Sequence, residues 1–231
     1  MGVAAIEARD LRTGLAHYEA ALALDSTDYP ANWRTAFALL DQAELLPDSL
    51  AGAERDSLLA RAEVLARRAV ALDSLAPEGH FAAAATVGRA ALTMGKGERI
   101  RRAKVVREEA LRTLALDPAH DGAYHVLGRW NAEIMRLSGF SRFFAKRFLG
   151  AGIFGQASWD QAIANLQKAV ELDPERIYHR LELARIYADR KRDQEALDQL
   201  GLIASLPDRE LLDPLYRERA VELGRRIGGR T

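Results

Sequence analysis

The sequence contains no cysteine, which excludes disulfides, thiolate metal sites and cysteine nucleophiles together. Neither sign of charge is in excess, because 33 Lys and Arg face 33 Asp and Glu. Without a net field nothing gathers nucleic acid, and contact with an anionic membrane surface has to come from a local patch. Apolar runs are short. None reaches the roughly eighteen residues that a membrane-crossing helix needs, and the start, Met1 to Glu7, lacks the basic and apolar regions of a signal peptide. A soluble domain is therefore expected. What the 231 residues do hold is 48% hydrophobic and 29% charged side chains, the balance of a globular protein long enough to bury a core without metal or disulfide staples.

Proline and glycine are also sparse and punctuate long intervals of Ala, Leu, Arg and Glu, which are good helix formers. Apolar residues recur at three and four, as in Leu59, Ala62, Leu65, Ala66, Ala69, Val70 and Leu72. That spacing places one buried stripe on a helix. No segment alternates with period two, so an all-α fold is expected.

One phrase returns four times: Ala21-Leu-Ala-Leu-Asp-Ser, Ala69-Val-Ala-Leu-Asp-Ser, Thr113-Leu-Ala-Leu-Asp-Pro118 and Ala169-Val-Glu-Leu-Asp-Pro174. Each reads as a helix end. Three residues earlier stand Tyr18, Ala66, Ala110 and Leu166, and seven earlier Gly14, Ala62, Val106 and Ala162. These intervals match the second helix of a tetratricopeptide repeat, where small residues admit a neighbouring helix and Ser or Pro after Asp stops the turn. First-helix halves begin at Trp33, His80, Tyr124 and Arg180. The phrases start 48, 44 and 56 residues apart, beyond the plain repeat of about 34. Extra residues are expected between paired helices, near Leu45 to Leu58, Leu92 to Ile100 and 135–158. An amphipathic segment at about 209–227 reads as the capping helix that terminal repeats require. The expected architecture is one domain, residues 1–231: a right-handed α-solenoid of about five helical hairpins.

Eight of the sixteen aromatic residues fall between Tyr124 and Trp159. Within that stretch Phe140, Phe144 and Phe148 recur every four residues, beside Phe143, Arg142, Lys146 and Arg147. Two readings stand: rings that fill the space an insertion creates, or an apolar pocket with a cationic rim. A helix lying on a membrane surface is a third. The run from Lys96 to Arg112 holds seven basic residues against three glutamates and reads as a solvated helix face or an anion patch. Gly150-Ala-Gly152-Ile-Phe-Gly155 spells a dinucleotide fingerprint, but no strand precedes it, so a hinge or helix stop is expected there.

The five histidines show no i, i+4 pair and no HExxH, so no metal site is expected. No nucleophile or phosphate motif has its required context, and the chain is expected to be non-enzymatic, with no catalytic residue and no cofactor. A chaperone-type carboxylate clamp needs Lys and Asn on successive first helices. The positions that would carry it are Ala38, Ala85, Arg129 and Arg185, and the Asn is missing.

The region Leu127-Gly-Arg-Trp130 to Ser138, the aromatic and basic insertion, and then Trp159-Asp-Gln-Ala to Pro174 resemble the regulator of microtubule dynamics family. Trp33-Arg34 and Gly95-Lys96-Gly97 share in that resemblance. It implies a non-enzymatic helical-repeat domain. Members of that family are linked to microtubules and to mitochondrial or membrane contact sites, and such a domain has been associated with phospholipid binding. On this chain the matching residues are Gly128, Arg129 and Trp130, with Phe140, Arg142, Phe143, Phe144, Lys146 and Arg147. The resulting expectation is a groove for an acyl chain or another hydrophobic anion. Trp33, Phe37, Trp130, Phe140, Phe143 and Phe144 supply apolar area, at about 25 cal/mol per Å², and Arg34, Arg129, Arg142, Lys146 and Arg147 hold the anionic end. The alternative, from a different class, is a protein-interaction scaffold with a wide, polar groove that takes a helical or extended segment of a partner.

Overall fold

The computed structural model describes residues 2–7, 10–47, 52–137 and 155–229. Among them are eleven helices and no strand. They run in chain order as α1 (Gly2–Glu7), α2 (Leu11–Leu24), α3 (Tyr29–Leu45), α4 (Ala53–Leu72), α5 (Pro77–Leu92), α6 (Lys96–Leu116), α7 (Asp121–Arg136), α8 (Trp159–Leu172), α9 (Ile177–Asp189), α10 (Asp193–Ser205) and α11 (Asp213–Gly228). They gather into two compact units, Met1–Pro118 and Ala119–Thr231.

The recurring phrase does end a helix each time. α2, α4, α6 and α8 stop at the leucine before the aspartate, and Asp25, Asp73, Asp117 and Asp173 are extended caps. Each cap's N–H donates to the carbonyl of the residue that opens its phrase, Ala21, Ala69, Thr113 or Ala169. Three of these carboxylates then accept from the backbone two residues on, at Thr27 (2.8 Å), Leu75 (2.9 Å) and Glu175 (3.3 Å). Such side-chain turns are how Asp stops a helix and redirects the chain.

In the first unit α3 packs against α4 and α5, and α5 against α6. Hairpins stacked in this way bring successive first helices, α3 and α5, into direct contact. The small residues read from the phrase are the seam. Ala62, Ala66, Ala69, Ala110 and Thr113 have no exposed surface, and Ala36, Leu39 and Ala82 close the core around them. The extra repeat length lies mostly in the helices rather than between them. α4 has 20 residues and α6 has 21, so Ala53 to Leu58 and Lys96 to Ile100, expected as insertions, continue the helices. Good helix formers and first-turn acids (Glu54, Asp56, Glu98) favour that outcome.

The second unit packs α7 on α8, α9 on α8 and α10, and α11 on α9 and α10. Its core joins Leu166, Ile177, Leu181, Ile186, Ile203 and Ile227. Gly128 sits where α7 crosses α8: a Cβ there would lie 2.6 Å from Leu166 Cγ and 3.1 Å from the Ala162 carbonyl. Met135 and Arg136, expected to open the long insertion, still belong to α7. The final helix starts at Asp213, a few residues later than expected. Pro214 fits only the first turn of a helix, and the Asp213 carboxylate accepts from the N–H groups of Arg209 (2.7 Å) and Glu210 (2.6 Å) to form the preceding turn.

Candidate functional site

The candidate binding residues fall into three groups. Trp33, Arg34 and Phe37 lie half-buried along α3. Trp33 meets Phe37 edge-on at 6.2 Å, Phe37 reaches Phe81 of α5 at 5.0 Å, and the Arg34 guanidinium lies 4.8 Å over the Trp33 ring. Phe81 was not among the expected residues, although it follows the first-helix anchor His80 directly. Arg129 and Trp130 are neighbours on α7 with different fates. Trp130 is 5% exposed and belongs to the interior, whereas Arg129 faces α9. Phe140, Arg142, Phe143, Phe144, Lys146 and Arg147 lie outside the described residues, as does most of the glycine fingerprint, 150–154. The basic run on α6 is largely paired: Arg102 reaches Glu63 of α4 and Glu98, Arg101 also takes Glu98, and Lys104 takes Glu108.

The second unit carries a cleft of about 280 Å³ between its first helices and the final helix. α7 supplies Arg129, Glu133 and Arg136, α9 supplies Glu182, Arg185, Ala188 and Asp189, and α11 supplies Leu223 and Arg226. The walls are ionic. Glu182 is the buried centre: Arg185 donates to one of its oxygens, and Arg129 Nε lies 3.6 Å from the other. Burial alone raises a carboxyl pKa, but the guanidiniums of Arg129, Arg185 and Arg136 hold Glu182 below its ordinary value. Arg136 donates through Nε to Asp189 at 2.9 Å and through Nη1 to Glu133 at 2.6 Å.

Behind the cleft an aromatic column ties the same helices together. Tyr178 of α9 stacks on Tyr216 of α11, with centroids 4.3 Å apart and planes 5° off parallel, and lies 4.4 Å from the His125 ring of α7. The Tyr178 hydroxyl accepts from Arg129. A polar chain runs alongside. The Asp121 carboxylate accepts from Arg176 (2.7 Å) and from His179 Nε2 (2.8 Å), and Arg176 also holds Glu210 at 2.9 Å. His179 Nδ1 and His125 Nδ1 are 2.8 Å apart. Since the ionised Asp121 only accepts, His179 donates to it from Nε2, His179 Nδ1 is the acceptor, and His125 donates from Nδ1. His125 Nε2 is then a bare lone pair, buried without a partner. Burial, with the nearby His179 and Arg129, pushes the His125 pKa well down. The histidine pair joins residues 54 apart in sequence, which no helical spacing signals. Among the described residues no group of His, Asp or Glu could hold a metal ion.

The family model of regulator of microtubule dynamics protein 1-3 matches residues 6–228. The chain belongs to this family. A solved structure shows its fold: TTC0263, a thermophilic TPR protein of Thermus thermophilus, superposes with a TM-score of 0.67 over 96% of this chain and 94% of its own, at 17% identity. MamA 41-end from Desulfovibrio magneticus RS-1 gives 0.49 over 97% and 92%, at 15% identity. No curated protein is significantly similar in sequence. Among the described residues of this regulator of microtubule dynamics protein relative, no helix is long and apolar enough to cross a membrane.

Proposed function

We propose that the chain is a non-catalytic scaffold that binds a segment of a partner protein along the cleft of its second unit. One observation supports this reading above all: the cleft is formed by successive first helices and the final helix, and apart from Ala188 and Leu223 its lining is charged. Such a surface is wide, solvated and rich in directional hydrogen bonds, which suits a peptide backbone and its polar side chains. An acyl chain gains from apolar area, and this cleft offers little. The competing lipid reading draws instead on the Trp33, Phe37 and Phe81 ladder with Arg34 in the first unit.

Peptide-display selection against the purified chain and against its Arg185→Glu/Arg226→Glu variant tests the proposal. Enriched peptides that lose binding to the variant support it. Selection that survives in the variant and disappears with Trp33→Ala/Phe37→Ala moves the site to the first unit. Failure to select any peptide, together with co-sedimentation of the chain with phosphatidic acid vesicles, replaces the scaffold reading with the lipid one.

A further inference from the structure

We infer that the cleft of the second unit is specific for an acidic peptide segment, one carrying Asp or Glu side chains. The inference rests on the scaffold reading above and adds the chemistry of the partner. Its basis is an excess of donors over acceptors. Four guanidiniums, those of Arg129, Arg136, Arg185 and Arg226, line the cleft with three carboxylates. Each guanidinium presents five N–H groups and accepts nothing, whereas three carboxylates engage only part of that supply. Arg185 spends its Nη1 on Glu182, and Arg129 spends its Nη1 on the Tyr178 hydroxyl. Arg226 is exposed and forms no ion pair among the described residues. A ligand that enters this space is recognised by what it accepts.

Electrostatics points the same way. The lining carries four guanidiniums against three carboxylates and so a net positive charge of one. Arg129 and Arg185 also occupy matching positions on successive first helices and converge on the buried Glu182. That carboxylate shows within the chain the contact an incoming carboxylate would make, since planar guanidinium forks suit carboxylates and charge-assisted bonds are the strong ones. A basic segment would meet the same forks as repulsion. A phospholipid headgroup offers similar oxygens, but its acyl chains find only Leu223 and Ala188 as apolar lining.

The test uses the full chain and fluorescein-labelled, C-terminally amidated Glu-Gly, Gln-Gly and Lys-Gly repeat peptides, read by fluorescence anisotropy at low and at moderate salt. Expected is binding of the Glu-Gly peptide alone, weakened by salt and weakened about tenfold by Arg226→Glu. Arg226→Lys should restore much of the affinity, and Arg68→Glu, at an exposed position of α4 in the first unit, should leave it unchanged. Circular dichroism confirms that each variant is folded, which the exposed position of Arg226 favours. Acidic-peptide binding that ignores Arg226→Glu and Arg185→Glu overturns the assignment. Binding of the Gln-Gly or Lys-Gly peptide, lost in those variants, overturns the acidic specificity and leaves the scaffold standing. No binding of any peptide, with or without uptake on phosphatidic acid vesicles, overturns both.

Discussion

Single residues in the second unit set its tolerance to change. A glycine inside a helix usually costs about 0.5–1 kcal/mol relative to alanine, so Gly→Ala in α10 at Gly201, where a Cβ meets nothing within 4 Å, should stabilise the protein by about that much. Gly128 should behave in the opposite sense. Its Cβ would press on Leu166 at 2.6 Å and on the Ala162 carbonyl at 3.1 Å, and overpacking costs about 1–3 kcal/mol. Urea midpoints of the two variants check this, and a Gly128→Ala protein as stable as the parent would mean that α7 and α8 can part without cost. His125 makes a second residue-scale prediction. Burial, first among the causes, lowers the folded pKa of both His125 and His179. The unfolded chain protonates such groups near pH 6.5. It therefore binds more protons than the native state below that pH, and stability falls as pH drops from about 7 towards 5. Asp121, whose carboxyl burial alone would raise but His179 and Arg176 hold below its ordinary range, adds a further loss below about pH 4. Chemical denaturation at several pH values should show a shallower slope between pH 7 and 5 for His125→Phe than for the parent. Equal slopes would place the titration elsewhere.

At the scale of the element, boundaries are written in short polar signals. Asp28 caps α3 by accepting from the Ala31 N–H at 2.8 Å, Asp10 caps α2 and Ser158 caps α8 in the same way. Removing such a cap costs about 0.5–2 kcal/mol. Asp28→Ala should lose that in urea unfolding, while Asp28→Ser should keep most of it. These signals explain how much of the fold was legible in advance. The helix ends at Asp25, Asp73, Asp117 and Asp173 were read from one repeated phrase because a stop signal is local. The first turns of α4 and α6 fall within stretches expected as insertions, because Ala53 to Leu58 and Lys96 to Ile100 carry no marker that separates a longer helix from an inserted loop. Pro214 supplied such a marker for α11, and it outweighed an apolar pattern that already begins at Leu211 and Leu212.

Across the whole molecule, the interior was easier to anticipate than the cleft. A small-residue seam follows from spacing within one helix, but the cleft draws single residues from three helices, and its order depends on tertiary packing. Arg129 and Arg185 stood at equivalent positions of their first helices and were the one available signal. Glu182, Arg136, Asp189 and Arg226 had none, and neither did the pairing of His125 with His179. The two units also make the last prediction. The core of Leu166, Ile177, Leu181 and their neighbours lies wholly within residues 119–231, and that of Ala36, Leu39, Ala62 and Ala66 wholly within 1–118. A stretch that closes its own apolar core should fold alone. Residues 119–231 expressed separately should therefore give a helical circular dichroism spectrum and a cooperative thermal transition. They should also retain the loss of stability between pH 7 and 5, because Asp121, His125 and His179 all lie within them. A fragment that is unfolded, while the full chain unfolds in one sharp step, would show instead that each unit's stability depends on the other.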